Sequence, residues 1–132
     1  MRMKPWIAIV LSLAAWDASA QHVFARCDHF QAQALANEID RLKESLDLGA
    51  DIECRQALFD GATALMQAAG AGSVDAVKLL LQRGAQVNAR DKSGWTALRH
   101  ARNTYDALAK AGHTSIKLEL VIELLKAAKG TE

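Results

Sequence analysis

The chain carries almost no surplus of charge, no apolar stretch long enough to cross a bilayer, only two cysteines, and no recognisable catalytic elbow in its 132 residues. Each shortage excludes a class of function. Sixteen Lys and Arg face fifteen Asp and Glu, a formal net charge of +1, and setting aside Arg2, Lys4 and Asp17 brings it to zero. A phosphate backbone is gripped by clustered cations, so nucleic-acid binding has little electrostatic support. The mostly apolar run Trp6 to Trp16 spans eleven residues before Asp17 ends it. A membrane helix needs about 20. None of Ser45, Ser73, Ser93 and Ser115 lies in a Gly-x-Ser-x-Gly turn, and the carboxylates are scattered with no pair that spacing would bring into a cleft. Gly70-Ala71-Gly72-Ser73 lacks the third glycine of a phosphate loop and reads as a helix turn. Neither enzymatic activity nor a cofactor is expected.

The first twenty residues read as an address. Met1-Arg2-Met3-Lys4 is basic, the apolar run follows, and Ala18-Ser19-Ala20 places small residues where a signal peptidase reads them. That order predicts a secretory signal peptide over residues 1–20, cleaved before Gln21, with no stable membrane anchor afterwards. Residues 21–132 are then one small domain. Periplasmic residence is expected, with secretion as the alternative. In an oxidising compartment an even pair of cysteines, Cys27 and Cys54, reads as a disulfide, with two separate thiols as the alternative. His22, Cys27 and His29 lie close together with Asp28 between the last two, the kind of cluster that can bind zinc. A structural zinc site uses four closely arranged ligands, so no metal is expected. A metal- or redox-linked accessory role for Cys27, Cys54, His22 and His29 stands as the alternative reading.

What the sequence has in quantity is itself. Gly61-Ala62-Thr63-Ala64-Leu65 returns as Gly94-Trp95-Thr96-Ala97-Leu98, and Ala68 returns as Ala101, all at a spacing of 33 residues. A fixed period of this size marks a stack of units, each needing a neighbour to bury its apolar face. Gly61 to Asn88 resembles an ankyrin repeat. The resemblance implies an all-α solenoid of about three helix-turn-helix repeats with short β-hairpin fingers, over residues 26–57, 58–90 and 91–129. Within the middle unit Thr63 is expected to cap one helix and Ser73 the next, which Gly84 ends. In the first unit Ile39, Leu42, Leu46 and Gly49 sit 35 residues before Val74, Val77, Leu81 and Gly84; Asn37 falls on Gly72, and Asp28 is expected as an N-cap. The third unit delays its turn to Gly112-His113. Leu98, Ala101, Tyr105 and Leu108 keep helical spacing, which predicts an inner helix lengthened by about two turns; a loop over 102–113 is the alternative. An outer helix should follow over Ser115 to Ala128. His100 and His113 show no partner at ligand spacing and read as surface or turn residues.

Ankyrin repeats bind other proteins through finger tips and the inner helices. Carried onto this sequence, the resemblance implies a protein-binding surface of Arg55, Gln56, Leu58 and Phe59 in the first finger and Arg90, Lys92 and Trp95 in the second. Met66, Gln67, Arg99, Arg102 and Tyr105 join them from the inner helices. Met66 and Arg99 stand where the family has histidine, and Ala64 and Ala97 where it has proline. The same geometry would bring Cys27 and Cys54 together as a staple between the first unit and its neighbour. A monomer that binds, and thereby stabilises or inhibits, one partner protein is the expected role; neutralising a toxin would be one version of it.

Overall fold

The computed structural model describes residues 27–132, so the expected signal peptide and His22 lie outside it. Six helices follow in order: α1 over residues 27–35, α2 Ile39–Asp47, α3 Ala64–Ala71, α4 Val74–Gln82, α5 Ala97–Lys110 and α6 Ile116–Ala127. They pair as α1/α2, α3/α4 and α5/α6. The inner helix α3 packs on α5, while the outer helix α4 packs on both α2 and α6.

Composition explains the layering. Ala64, Ala68, Ala97 and Ala101 are fully or almost fully buried where α3 meets α5, and side chains this small let the helix axes approach closely. Outer helices supply the bulk, with Leu42, Val77, Leu80, Val121 and Leu125 all at 0% exposure. Buried like this, each large aliphatic contributes about 1.5–3 kcal/mol.

Turns repeat with the period of the sequence. Gly49 and Gly84 end α2 and α4 with φ of 88° and 85°, and Lys129 takes the same left-handed conformation, φ 64°, after α6. Asn37 does at φ 58° what Gly72 does at φ 70°, as the register predicts. Thr63, Thr96 and Ser115 cap α3, α5 and α6 by accepting from Met66 N, Arg99 N and Leu118 N. Ser73 makes no such bond. Its hydroxyl donates instead to the Leu35 carbonyl at 2.7 Å, and α4 is capped from the neighbouring unit, by Asn37 Oδ1 accepting from Ala76 N at 2.9 Å. Asp28 is not a cap either: it lies within α1, where its carboxylate accepts from the Gln56 amide.

Two further expectations resolve in the chain's own geometry. The inner helix of the third unit runs unbroken to Lys110, giving 14 residues against 8 in α3, so the lengthened helix replaces the alternative loop. The fingers are turns, with no strand among the described residues and one isolated bridge between Gln56 and Ala62. They are too short to carry a ladder: in the second, Asp91 N–H already donates to the Trp95 carbonyl and Gly94 N–H to that of Asp91.

Candidate functional site

The inner helices share one open face. On it lie Leu35 of α1, Gln67 of α3, and His100 and Thr104 of α5, the last two one helical turn apart. Phe59 leans over them from the first finger. A cavity of about 350 Å³ runs from Leu35 and Phe59 to His100 and Thr104. A second, of about 270 Å³, lies against α1 and shares Leu35, Phe59 and Gln67 with the first. The two are halves of one groove meeting at Phe59. Its apolar parts face water, with Leu35 48%, Phe59 55% and Leu58 92% exposed.

The first finger is pinned at its base. Cys27 and Cys54 form a disulfide, with Cα atoms 5.9 Å apart. Gln31, 2% exposed, donates from Nε2 to the Cys54 and Ala62 carbonyls, both at 2.9 Å. Arg55 Nη1 donates to the Gly61 carbonyl at 3.1 Å and also reaches the Arg90 carbonyl of the second finger. From this base the chain rises into a 3-10 turn, Ala57–Phe59, none of whose residues is buried.

The second finger is built around Asp91. One carboxylate oxygen accepts from Trp95 N at 2.8 Å and the other meets His100 Nε2 at 2.7 Å. Burial works to raise the Asp91 pKa, but the Trp95 and Ser93 amides and the His100 ring oppose it, and the net value lies below the ordinary 3.8. The Trp95 and His100 rings stand 5.3 Å apart, and the Arg99 guanidinium lies 4.9 Å from the Trp95 ring centre. His100 thus has a carboxylate partner after all, nine residues back, a distance at which helical spacing is no guide. Lys92 ties the fingers together, its N–H donating to the Asp60 carbonyl at 2.9 Å.

The ankyrin-repeat model matches residues 29–119 in three copies, most of the described chain. The chain belongs to the ankyrin-repeat family. It is also 34% identical over 83 residues to human M-phase phosphoprotein 8, a match covering 59% of this chain and 10% of that protein. The match therefore spans about a tenth of that relative's length.

With the ankyrin frame in place, the expected binding residues divide. Leu58, Phe59, Lys92 and Trp95 lie on the fingers, Gln67 lines the groove, and Arg99 is exposed in the first turn of α5 against Trp95. Gln56 lines the groove from a buried position, 9% exposed. Met66 is a correction: at 2% exposure it only floors the groove, because its sulfur accepts from Thr63 N–H in the α3 cap. Arg55 and Arg90 spend their guanidinia on backbone carbonyls, Arg90 on Gly94 and Glu132. Arg102 and Tyr105 leave the groove altogether. They line a cavity of about 420 Å³ between α5 and α6, where Arg102 pairs with Glu132 at 2.5 Å and the Tyr105 hydroxyl donates to Glu119 at 3.0 Å. That bond holds the Tyr105 pKa above its usual 10.0. Leu35, Gln31, His100 and Thr104 were missing from the expected surface. His100 and Thr104 were legible as a one-turn pair on α5, but only to a reader who knew which face the stack leaves open. Both cysteine sulfurs are bonded to each other, and among the described residues no three His, Cys, Asp or Glu gather as a metal site would need.

Proposed function

We propose that the chain is a noncatalytic binding module that holds one partner protein against the groove and the finger tips, and stabilises or inhibits it there. The observation that carries this reading is the open groove along the inner helices, with the solvent-exposed Leu58 and Phe59 standing over its middle. Exposed apolar side chains grouped beside a cleft mark interaction sites more often than chance scatter does. The Trp95–Arg99 stack adds a second anchor of the residue types that dominate binding energies. Lys92 and Arg99 would steer an acidic partner towards that end.

We place the module outside the cytoplasm, in the periplasm or beyond. The signal-like order of residues 1–20 and the Cys27–Cys54 bond both favour an oxidising compartment. Edman sequencing of the protein from the producing cell should begin at Gln21.

Co-purification from envelope extract tests the binding role. Wild type should retain one stoichiometric partner, and a Phe59→Ala, Trp95→Ala double variant with an unchanged circular dichroism spectrum should lose it. Retention by the variant would remove the groove and fingers as the site.

A further inference from the structure

The first finger is two residues longer than the second, Gly49 to Gly61 against Gly84 to Gly94, and folds into the 3-10 turn Ala57–Phe59, which has no counterpart between Asp91 and Trp95. This turn converts open concave surface into a socket. Leu58 and Phe59 form one wall, Ala32 and Leu35 of α1 the opposite one, and the enclosed volume is about 270 Å³. That lies just under the range of about 300–1,000 Å³ that holds drug-sized ligands and cofactors, and suits a single large side chain.

The polar lining is selective. Gln31, Gln56 and Gln67 all border the socket. Carboxamides are neutral and both donate and accept, which suits the alternating donors and acceptors of a peptide backbone. Asp28, the one carboxylate at the rim, accepts from the Gln56 amide. Gln31 is the informative member. Its Nε2 donates to the Cys54 and Ala62 carbonyls, and among the described residues its Oε1 has no partner in a side chain 2% exposed. An acceptor buried and unpaired is costly, and an entering N–H would relieve it. At the other end of the groove the character changes to His100, with Arg99 and Lys92 exposed beyond it.

We infer that the socket takes one large apolar side chain (Phe, Leu, Ile or Met) from an extended segment of the partner protein, oriented with an acidic residue towards His100 and Arg99. The three carboxamides read the backbone around the anchor. This deepens, and rests on, the proposed binding role.

The test uses a phage-displayed library of short random linear peptides panned on the immobilised full chain, with enriched peptides resynthesised and titrated by fluorescence anisotropy. Enriched sequences should share one large apolar residue and an acidic residue on one consistent side of it. Ala32→Glu fills the socket from an exposed position on α1 and keeps a good helix former there, so it should fold and weaken binding by about tenfold or more. Arg99→Glu should weaken it to a similar degree and flatten its salt dependence. Peptides without a common apolar residue would overturn the socket, as would Ala32→Glu binding like wild type. If Ala32→Glu is silent while Trp95→Ala abolishes binding, the socket fails and the binding role stands. If nothing is enriched over a blank surface, the socket fails, and the co-purification experiment alone decides the binding role.

Discussion

Single residues in this chain are set by position in the repeat more than by their own preference, and Lys129 shows the cost. It occupies the left-handed position that Gly49 and Gly84 hold after the earlier outer helices, at φ 64°. That conformation costs an L-residue about 1–2 kcal/mol. Glycine relieves it but adds about 0.5–1 kcal/mol of unfolded-state entropy. Lys129→Gly should therefore stabilise the fold by about 0.5–1 kcal/mol, seen as a higher urea midpoint at unchanged slope. Asp91 sets the acid limit of the second finger. Its folded pKa lies below the ordinary carboxylate value, so its contribution is fully present above the unfolded value of about 3.9 and disappears as pH falls through the folded one. Urea midpoints measured from pH 6 down to pH 2 should fall less for Asp91→Asn than for wild type below about pH 4. Parallel curves would show that the acid loss originates elsewhere.

Elements are held to their neighbours by polar side chains that cross repeats, and these crossings were the least legible feature of the sequence. Asn37 caps α4 from the neighbouring unit, with Oδ1 on Ala76 N and Nδ2 3.4 Å from Asp75. Asn37→Ala removes the cap and strains the left-handed turn at once, and should cost about 1–2 kcal/mol; Asn37→Gly should recover the turn but not the cap. A denaturation series that ranks the two alike would leave the cap without weight. Helix order, the lengthened α5 and the glycine-like register of Asn37 could all be read from the sequence, because they follow from period and spacing. That Ser73 and Asp28 would not cap their helices could not. Serine before Val74 has the right identity for a cap, but Asn37 Oδ1 already accepts from Ala76 N, and the Ser73 hydroxyl turns to the Leu35 carbonyl of the neighbouring inner helix instead. The finger residues were legible as a surface and not as roles: arginines at 55 and 90 look like partner contacts until the backbone carbonyls they serve are in place. The groove depends on which helix faces the stack leaves open, and Tyr105, an apparent groove residue, falls on the α6 side for that reason.

For the whole molecule the question is where the stack comes apart. Repeat arrays are stabilised unit by unit through neighbour interfaces, so a terminal unit opens at less than the global free energy. Here α1 is tied to the first finger by the Cys27–Cys54 bond, by Gln31 on two carbonyls and by the Gln56–Asp28 contact. The disulfide closes a sequence separation of 27 residues, which chain-entropy reasoning values at about 3.5 kcal/mol. At the other end residues 129–132 fold back on the second finger: Asn88 Oδ1 accepts from Thr131 N at 2.7 Å, and Arg90 donates to the Glu132 carbonyl. Arg55 makes the matching bond to Arg90, so this tail takes the place beside the second finger that the second finger takes beside the first. The disulfide staples one end covalently, while hydrogen bonds and the Arg102–Glu132 ion pair hold the other. Reduction, or a Cys27→Ala, Cys54→Ala double variant, should lower stability by about 2–4 kcal/mol and raise hydrogen exchange mainly in α1 and the first finger. Leu58 and Phe59 would lose their fixed base, and binding at the groove should weaken with them. If exchange instead rises evenly from α1 to α6, the stack opens as one cooperative unit, and the disulfide acts on the unfolded chain without protecting the finger.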